Sequence, residues 1–189
     1  MGLVETKRTK PSIAEFCAAL RKAAPGLSRT AAGILWAQFA AETGRGQYCF
    51  NNNLGNVKYS GTGDYVALHG VWEIIGGKRI ELPPTHPGSW FRAYATLDEG
   101  MREHIAFLRG KRYAAVWPAV ESGDPKQFAA TLKAKGYYTA PLADYTRNMV
   151  SLHAEFLRTA PAWEAVEVDG VLYMPEQTIA ATDPPDGAA

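Results

Sequence analysis

The segment Trp36-Ala37-Gln38-Phe39-Ala40-Ala41-Glu42-Thr43-Gly44-Arg45-Gly46 closes an apolar run on one acidic side chain and follows it at once with glycines. Apolar neighbours strip water from a carboxyl and raise its pKa. The negative end of a helix dipole acts in the same direction. A carboxyl that keeps its proton near neutral pH is equipped to be a general acid. Glu42 is therefore the first candidate catalytic residue. Arg45 opposes the shift if its guanidinium faces the carboxylate. An ordinary glutamate in an exposed last turn is the competing reading.

The elements that must position Glu42 follow from periodicity and punctuation. Ser12 and Glu15 form a capping box before Ile13, Phe16, Cys17 and Leu20, which share one helical face. Pro25-Gly26 breaks the chain, and Ser28 caps a second helix that runs to Glu42 and stops at Gly44 and Gly46. Residues 47–63 are polar and rich in Gly and Asn, without helical periodicity. Strands are predicted at 65–69, 71–75 and 78–82, the last two joined by Gly76-Gly77 as a hairpin. Thr96 and Glu99 make a second capping box for a helix that ends at Gly110. A short helix over 113–120 is interrupted at Pro118, Asp124-Pro125 opens another that closes at Gly136, and Asp144 caps the last helix. An Asp169-Gly170 turn predicts a small hairpin over 166–173, and the Ala/Pro/Asp-rich end from 178 predicts disorder. The division expected is a disordered start (1–10), one catalytic domain (11–160) and an extension (161–189). The fold class is α+β, mainly α, with a small β-lobe inserted between helices.

Composition removes other functions. The chain has 189 residues, is 47% hydrophobic and carries a net charge of +1, which supports a core and argues against nucleic acid as a partner. No apolar run approaches the length of a membrane span. Cys17 and Cys49 are too few for a disulfide scaffold, and whether they pair is open. His69, His86, His104 and His153 are scattered and HExxH is absent, so neither a metal nor another cofactor is expected.

Five segments in order resemble the bacterial glucosaminidase family of peptidoglycan hydrolases, which includes the flagellar rod-cap domain, autolysins and phage lysins. They are Ala37-Gln38-Phe39-Ala40-Ala41-Glu42-Thr43-Gly44-Arg45-Gly46, Asn52-Asn53-Leu54-Gly55-Asn56-Val57-Lys58, Phe91-Arg92-Ala93-Tyr94, Arg112-Tyr113, and Gly136-Tyr137-Tyr138-Thr139-Ala140-Pro141 with a later Tyr145. The resemblance spans about residues 28–157. Departures are Arg45 in place of an aromatic, Gly55-Asn56 in place of Phe-Gly, and Ala140 in place of Asp.

The resemblance implies a lysozyme-like fold, with a helical lobe and a β-hairpin lobe flanking a groove for a peptidoglycan strand. It implies cleavage of β-1,4 bonds, usually after N-acetylglucosamine, with the catalytic acid at Glu42. It also implies a hairpin carboxylate, matched by Glu73, and a groove tyrosine, matched by Tyr137. Strand alternation sets Glu73 opposite Trp72 and Ile74, which leaves a groove-facing and a solvated position both open. Glu81, Asp64 and Glu99 are weaker candidates. Asn53 is expected to fix its loop or to bind an acetamido group. Trp72, Trp90, Tyr94, Tyr113 and Tyr138 are candidate sugar platforms, of which about two are expected to line the groove, since aromatics are more often core.

Two rivals stand beside the endo-β-N-acetylglucosaminidase reading. A lytic transglycosylase would use one glutamate and leave anhydro ends. A non-catalytic glycan-binding or assembly module would keep the fold without turnover. A monomer is expected. Residues 1–10 have no secretory-signal pattern, whereas the implied substrate lies in the periplasm or cell wall. Phage lysis, a virion or a specialised export route would reconcile the two.

Overall fold

Helix α2 (Arg29–Thr43) is apolar on every side, and a helix of that kind has to be enclosed on all sides. The computed structural model, which describes residues 2–163, 166–168 and 171–173, buries it from Ala31 through Ala40. Its start is capped by the Ser28 hydroxyl, which accepts the Ala31 N–H at 3.1 Å. Its end is set by Gly44 in the left-handed conformation (φ 58°).

The other helices pack around this axis. Helix α1 (Ile13–Ala23) carries the predicted Ser12–Glu15 capping box. Helices α3 (Leu97–Arg109), α4 (Trp117–Glu121), α5 (Pro125–Ala134) and α6 (Leu142–Thr159) complete the lobe. Phe16, Leu20, Ile34, Leu35, Phe39, Met101, Leu108, Phe128, Leu132, Met149 and Phe156 are fully or almost fully buried in one core. Each such side chain contributes about 1.5–3 kcal/mol on transfer from water. Helix α6 approaches α2 closely at Gly33, where a Cβ would meet the His153 ring at 2.7 Å. Cys17 and Cys49 are both buried free thiols.

The β-lobe lies between α2 and α3. Strands β2 (Val71–Ile75) and β3 (Lys78–Leu82) form the predicted hairpin, with Glu73 opposite Ile80. Its turn is carried by positive φ at Gly76 (57°) and Gly77 (77°). Strand β1 (Asp64–Ala67) does not join this hairpin. It pairs antiparallel with β4 (Trp90–Ala93), with Asp64 opposite Ala93. Strand β4 is absent from the sequence prediction because four residues after a Pro/Gly loop carry no alternation of their own.

Several expectations need correction. Residues 2–10 are not a frayed terminus. Val4 N–H donates to Tyr65 O (2.9 Å), Thr9 N–H to Cys49 O (3.0 Å) and Asn51 N–H to Lys7 O (2.8 Å). Pro118 does not interrupt a helix but sits in the first turn of α4, where its missing N–H costs nothing. Helix α6 starts at Leu142 after Pro141, so Asp144 lies inside the first turn and its carboxylate meets Arg147 at 3.1 Å. The Glu99 carboxylate reaches back to the Ala95 N–H (2.9 Å) rather than to Thr96. Strands β5 (Val166–Val168) and β6 (Val171–Tyr173) pair as the late hairpin. Its Asp169-Gly170 turn and the chain from 174 onward lie outside the described residues. No helix among the described residues is long and apolar enough to cross a membrane.

Candidate active site

Glu42 occupies the last turn of α2, and the chain just beyond it explains why. The Thr43 hydroxyl donates to Phe39 O (2.6 Å) and accepts the Gly46 N–H (2.9 Å), which ties off the helix. Arg45 has φ 56° and is held by a two-point pair with Glu155, at 2.8 and 2.5 Å. The guanidinium that might have offset the Glu42 shift is thus committed to α6. Asn56, itself left-handed (φ 47°), donates its amide to the Glu42 carbonyl at 2.6 Å. A short polar side chain makes that conformation tolerable. The Asn-rich loop is in this way fastened to the end of α2.

The Glu42 carboxyl faces a cavity of about 600 Å³, walled by Gly55, Asn56, Val57 and Lys58 on one side and by Phe107, Lys111, Arg112, Tyr113 and Tyr137 on the other. Burial pushes its pKa up from 4.5 to about 7, and the Tyr145 hydroxyl, at a long 3.5 Å from Oε1, partly opposes this. The group is therefore protonated up to neutrality and still opens on space for a ligand. Among the described residues that line the cavity, it is the one carboxyl.

The predicted site residues divide into those brought here and those placed elsewhere. Tyr137 lines the cavity, with its hydroxyl 3.4 Å from Gly55 O and its phenol held well above the ordinary pKa by burial and then by the Glu42 charge. Tyr113 lines it as well, edge-on to Tyr137 at 5.5 Å. Tyr138 stands behind the site, stacked on Tyr145 at 3.8 Å, with its hydroxyl on Ala129 O.

Glu73 is not in the cavity wall. It pairs at 3.4 Å with Lys58, which is, so the hairpin is linked to the wall through one ion pair. Trp72 is half exposed on the hairpin beneath the Arg79 guanidinium (4.3 Å). Trp90 packs on Tyr65 (5.1 Å) and donates its indole N–H to Pro84 O. Tyr94 lines two other clefts, beside Asp64 and Asn52 or Glu99. Asn53 is buried and spends its side chain internally. Its amide donates to Val57 O and Arg92 O and its carbonyl accepts the Val57 N–H. Of the two roles open to it, the geometry assigns the loop-fixing one, because the side chain is buried and both of its N–H donors are spent.

Tyr145 was missed as a site residue. Its place with Met149, Leu152 and Phe156 at helical spacing reads as core, and its first-turn position then carries the hydroxyl to Glu42. Gly55 was also missed. A Cβ there would meet the His104 ring at 2.9 Å, so the loop lies flat on a buried imidazole whose pKa burial lowers to about 4. The neutral ring thus adds no charge to the site.

Removing the Tyr145 hydroxyl tests the electrostatics. The hydroxyl favours the ionised carboxylate, so Tyr145→Phe is expected to raise the Glu42 pKa. The descending alkaline limb of kcat/KM should then move to higher pH. The rate near the optimum should fall by about tenfold or somewhat more, because a hydrogen bond to a carboxylate is worth about 1.5–3 kcal/mol and this one is long. A limb that stays in place would exclude the contact as a tuning element. The measurement is the pH–rate profile of both proteins.

Comparison with known proteins now bears on this geometry. Residues 19–184 match the profile of the family described as Glucosaminidase: Mannosyl-glycoprotein endo-beta-N-acetylglucosaminidase. The chain belongs to the Glucosaminidase family. It is a glycoside hydrolase of that family, and the match takes in both Glu42 and the cavity wall. No curated protein matches the sequence. Among solved structures, this glucosaminidase is similar to a peptidoglycan hydrolase mutant from Sphingomonas sp. A1. The identity is 25%, the TM-score is 0.55, and the match covers 80% of this chain and 95% of that one. The glucosaminidase fold is lysozyme-like: mainly helical, with small antiparallel sheets. Among the described residues no group of three or more His, Cys, Asp or Glu is arranged to hold a metal.

Proposed function

We propose that this glucosaminidase cleaves the β-1,4-linked glycan strand of peptidoglycan, as an endo-β-N-acetylglucosaminidase with Glu42 as general acid. The observation that carries the reading is a buried carboxyl with a pKa of about 7 opening on a 600 Å³ cavity. The similarity to a peptidoglycan hydrolase supports the substrate. Glycoside hydrolysis passes through an oxocarbenium-like state after the leaving oxygen is protonated. Burial keeps the required proton on Glu42 up to about pH 7, and the Tyr145 hydroxyl would stabilise the carboxylate once the proton has gone. With Glu73 engaged by Lys58, the second role falls to water or to the acetamido oxygen of the sugar itself rather than to a carboxylate of the cavity wall. Delivery to the wall by phage lysis, a virion or a dedicated exporter belongs to the same proposal.

The test is digestion of purified peptidoglycan with mass spectrometry of the soluble products. New reducing ends on N-acetylglucosamine are the expected result. Anhydro-muramic ends would replace hydrolysis with transglycosylation. Glycan binding without any product would leave a binding module.

A further inference from the structure

The cavity beside Glu42 holds more positive charge than a neutral sugar chain requires. Lys58, Lys111 and Arg112 line it, against one carboxyl. Lys58 is engaged by Glu73 at 3.4 Å, by Gly88 O and by the Phe91 ring at 4.3 Å. Arg112 lies over the Tyr113 ring (5.1 Å) and directs one terminal nitrogen at the carbonyls of Lys135 and Gly136, at 3.5 and 3.4 Å. Lys111 is exposed and has no hydrogen bond or ion pair among the described residues. It follows Gly110, which ends α3, and both line the cavity together with Gly55, Asn56 and Val57 of the Asn-rich loop.

We infer that Lys111, with the unused edge of the Arg112 guanidinium, recognises a carboxylate carried by the glycan next to the scissile bond. N-acetylglucosamine units are neutral. The muramic unit is not always so. It presents either the carboxylates of its stem peptide or, once the stem is removed, a free lactyl carboxylate. Both are the same ligand chemistry, a carboxylate carried on a substituent of the sugar ring. Lys111 is thus a specificity residue that separates an anionic wall glycan from a neutral chitin-like one. The inference rests on the glycosidase reading above and goes beyond it in naming the charged substituent.

The experiment uses one peptidoglycan in three forms. The first is intact, the second is treated with an amidase to expose the lactyl carboxylate, and the third has its carboxylates capped as neutral methylamides. kcat/KM is measured on each for the wild type and for Lys111→Glu. The wild type is expected to prefer an uncapped form over the capped one by about fivefold, the scale of one solvent-exposed ion pair. The variant is expected to lose or invert that preference, and added salt should weaken it in the wild type. A preference confined to the intact form assigns the stem peptide, and one confined to the amidase-treated form assigns the lactyl group. Equal wild-type efficiency on all three forms, or the same preference in the variant, overturns the inference. A wild type that cleaves none of the three overturns the glycosidase reading instead.

Discussion

Glu42→Gln is expected to abolish turnover and, at neutral pH, to make the protein more stable. The loss of activity follows from removing the transferable proton, which general-acid catalysis values at about 10²–10⁴-fold in rate. The stability gain follows from linkage. Folding raises the carboxyl from 4.5 to about 7, so the folded state binds the proton more tightly than the unfolded chain does. Below pH 4.5 both states are protonated and the substitution changes little. Between the two values the unfolded chain ionises while the folded one does not, and wild-type stability falls as pH rises. Above pH 7 the full penalty is present. Each pH unit of separation is about 1.4 kcal/mol, so the penalty is about 3 kcal/mol. For a protein of this size that corresponds to a Tm higher by about 6–12 °C. The check is thermal unfolding of both proteins at pH 4 and pH 8. The difference must be small at the first and large at the second. An equal difference at both would mean that burial does not tune this carboxyl.

The second large effect lies away from the cavity. Gly100→Ala in the first turn of α3 is expected to destabilise the protein by about 3 kcal/mol or more and to lower kcat/KM by about 10²-fold. Helix propensity alone predicts the reverse sign, a gain of up to about 1 kcal/mol. The reverse fails because a Cβ at Gly100 would sit 2.1 Å from the Asn52 carbonyl oxygen. Backbone has to move, and overpacking of this kind costs about 1–3 kcal/mol and occasionally more. Asn52 is left-handed (φ 56°) and gives its amide to Tyr94 O at 3.0 Å, so the loop has little room to yield. Any yielding passes through Asn53 to Gly55 and Asn56, which form the wall facing Glu42. A misplacement of about 1 Å remote from the chemistry is enough for the predicted rate loss. Urea unfolding together with steady-state kinetics reads both effects. A variant that is more stable than the wild type and fully active would show that the loop moves freely.

The place of Glu42 at the carboxyl end of a buried helix is legible in the sequence because three local signals coincide there: an apolar helix, its carboxyl end and glycines that stop it. The hairpin 71–82 was legible for the same reason, since alternation and Gly76-Gly77 point to one answer. What stayed hidden depends on pairing across the chain. Strand β4 exists because β1 lies beside it, and nothing within Trp90–Ala93 announces that. Tyr145 and Asn56 act through partners about 103 and 14 residues away, and a helical stripe or a turn-forming Asn describes each of them adequately until those partners are known. Trp72, Trp90 and Tyr94 were attractive as aromatics, yet a ring's type does not say which of several surfaces it serves.

Residues 2–10 of this enzyme are bonded into the fold although they lie outside its family similarity. Family similarity starts at residue 19. The Asn51 side chain, however, accepts the Lys7 N–H (2.8 Å) and donates to Glu5 O (2.9 Å), and Asn52 N–H donates to the Thr9 hydroxyl. This segment is in effect a splint along the Asn-rich loop. A fragment cut at the homology boundary would retain every residue of the cavity and still strip the splint, half of α1 and the partners of Asn51. The boundary drawn by ancestry therefore falls inside the cohesive unit, and an expression fragment or a fusion joint has to keep residues 2–18.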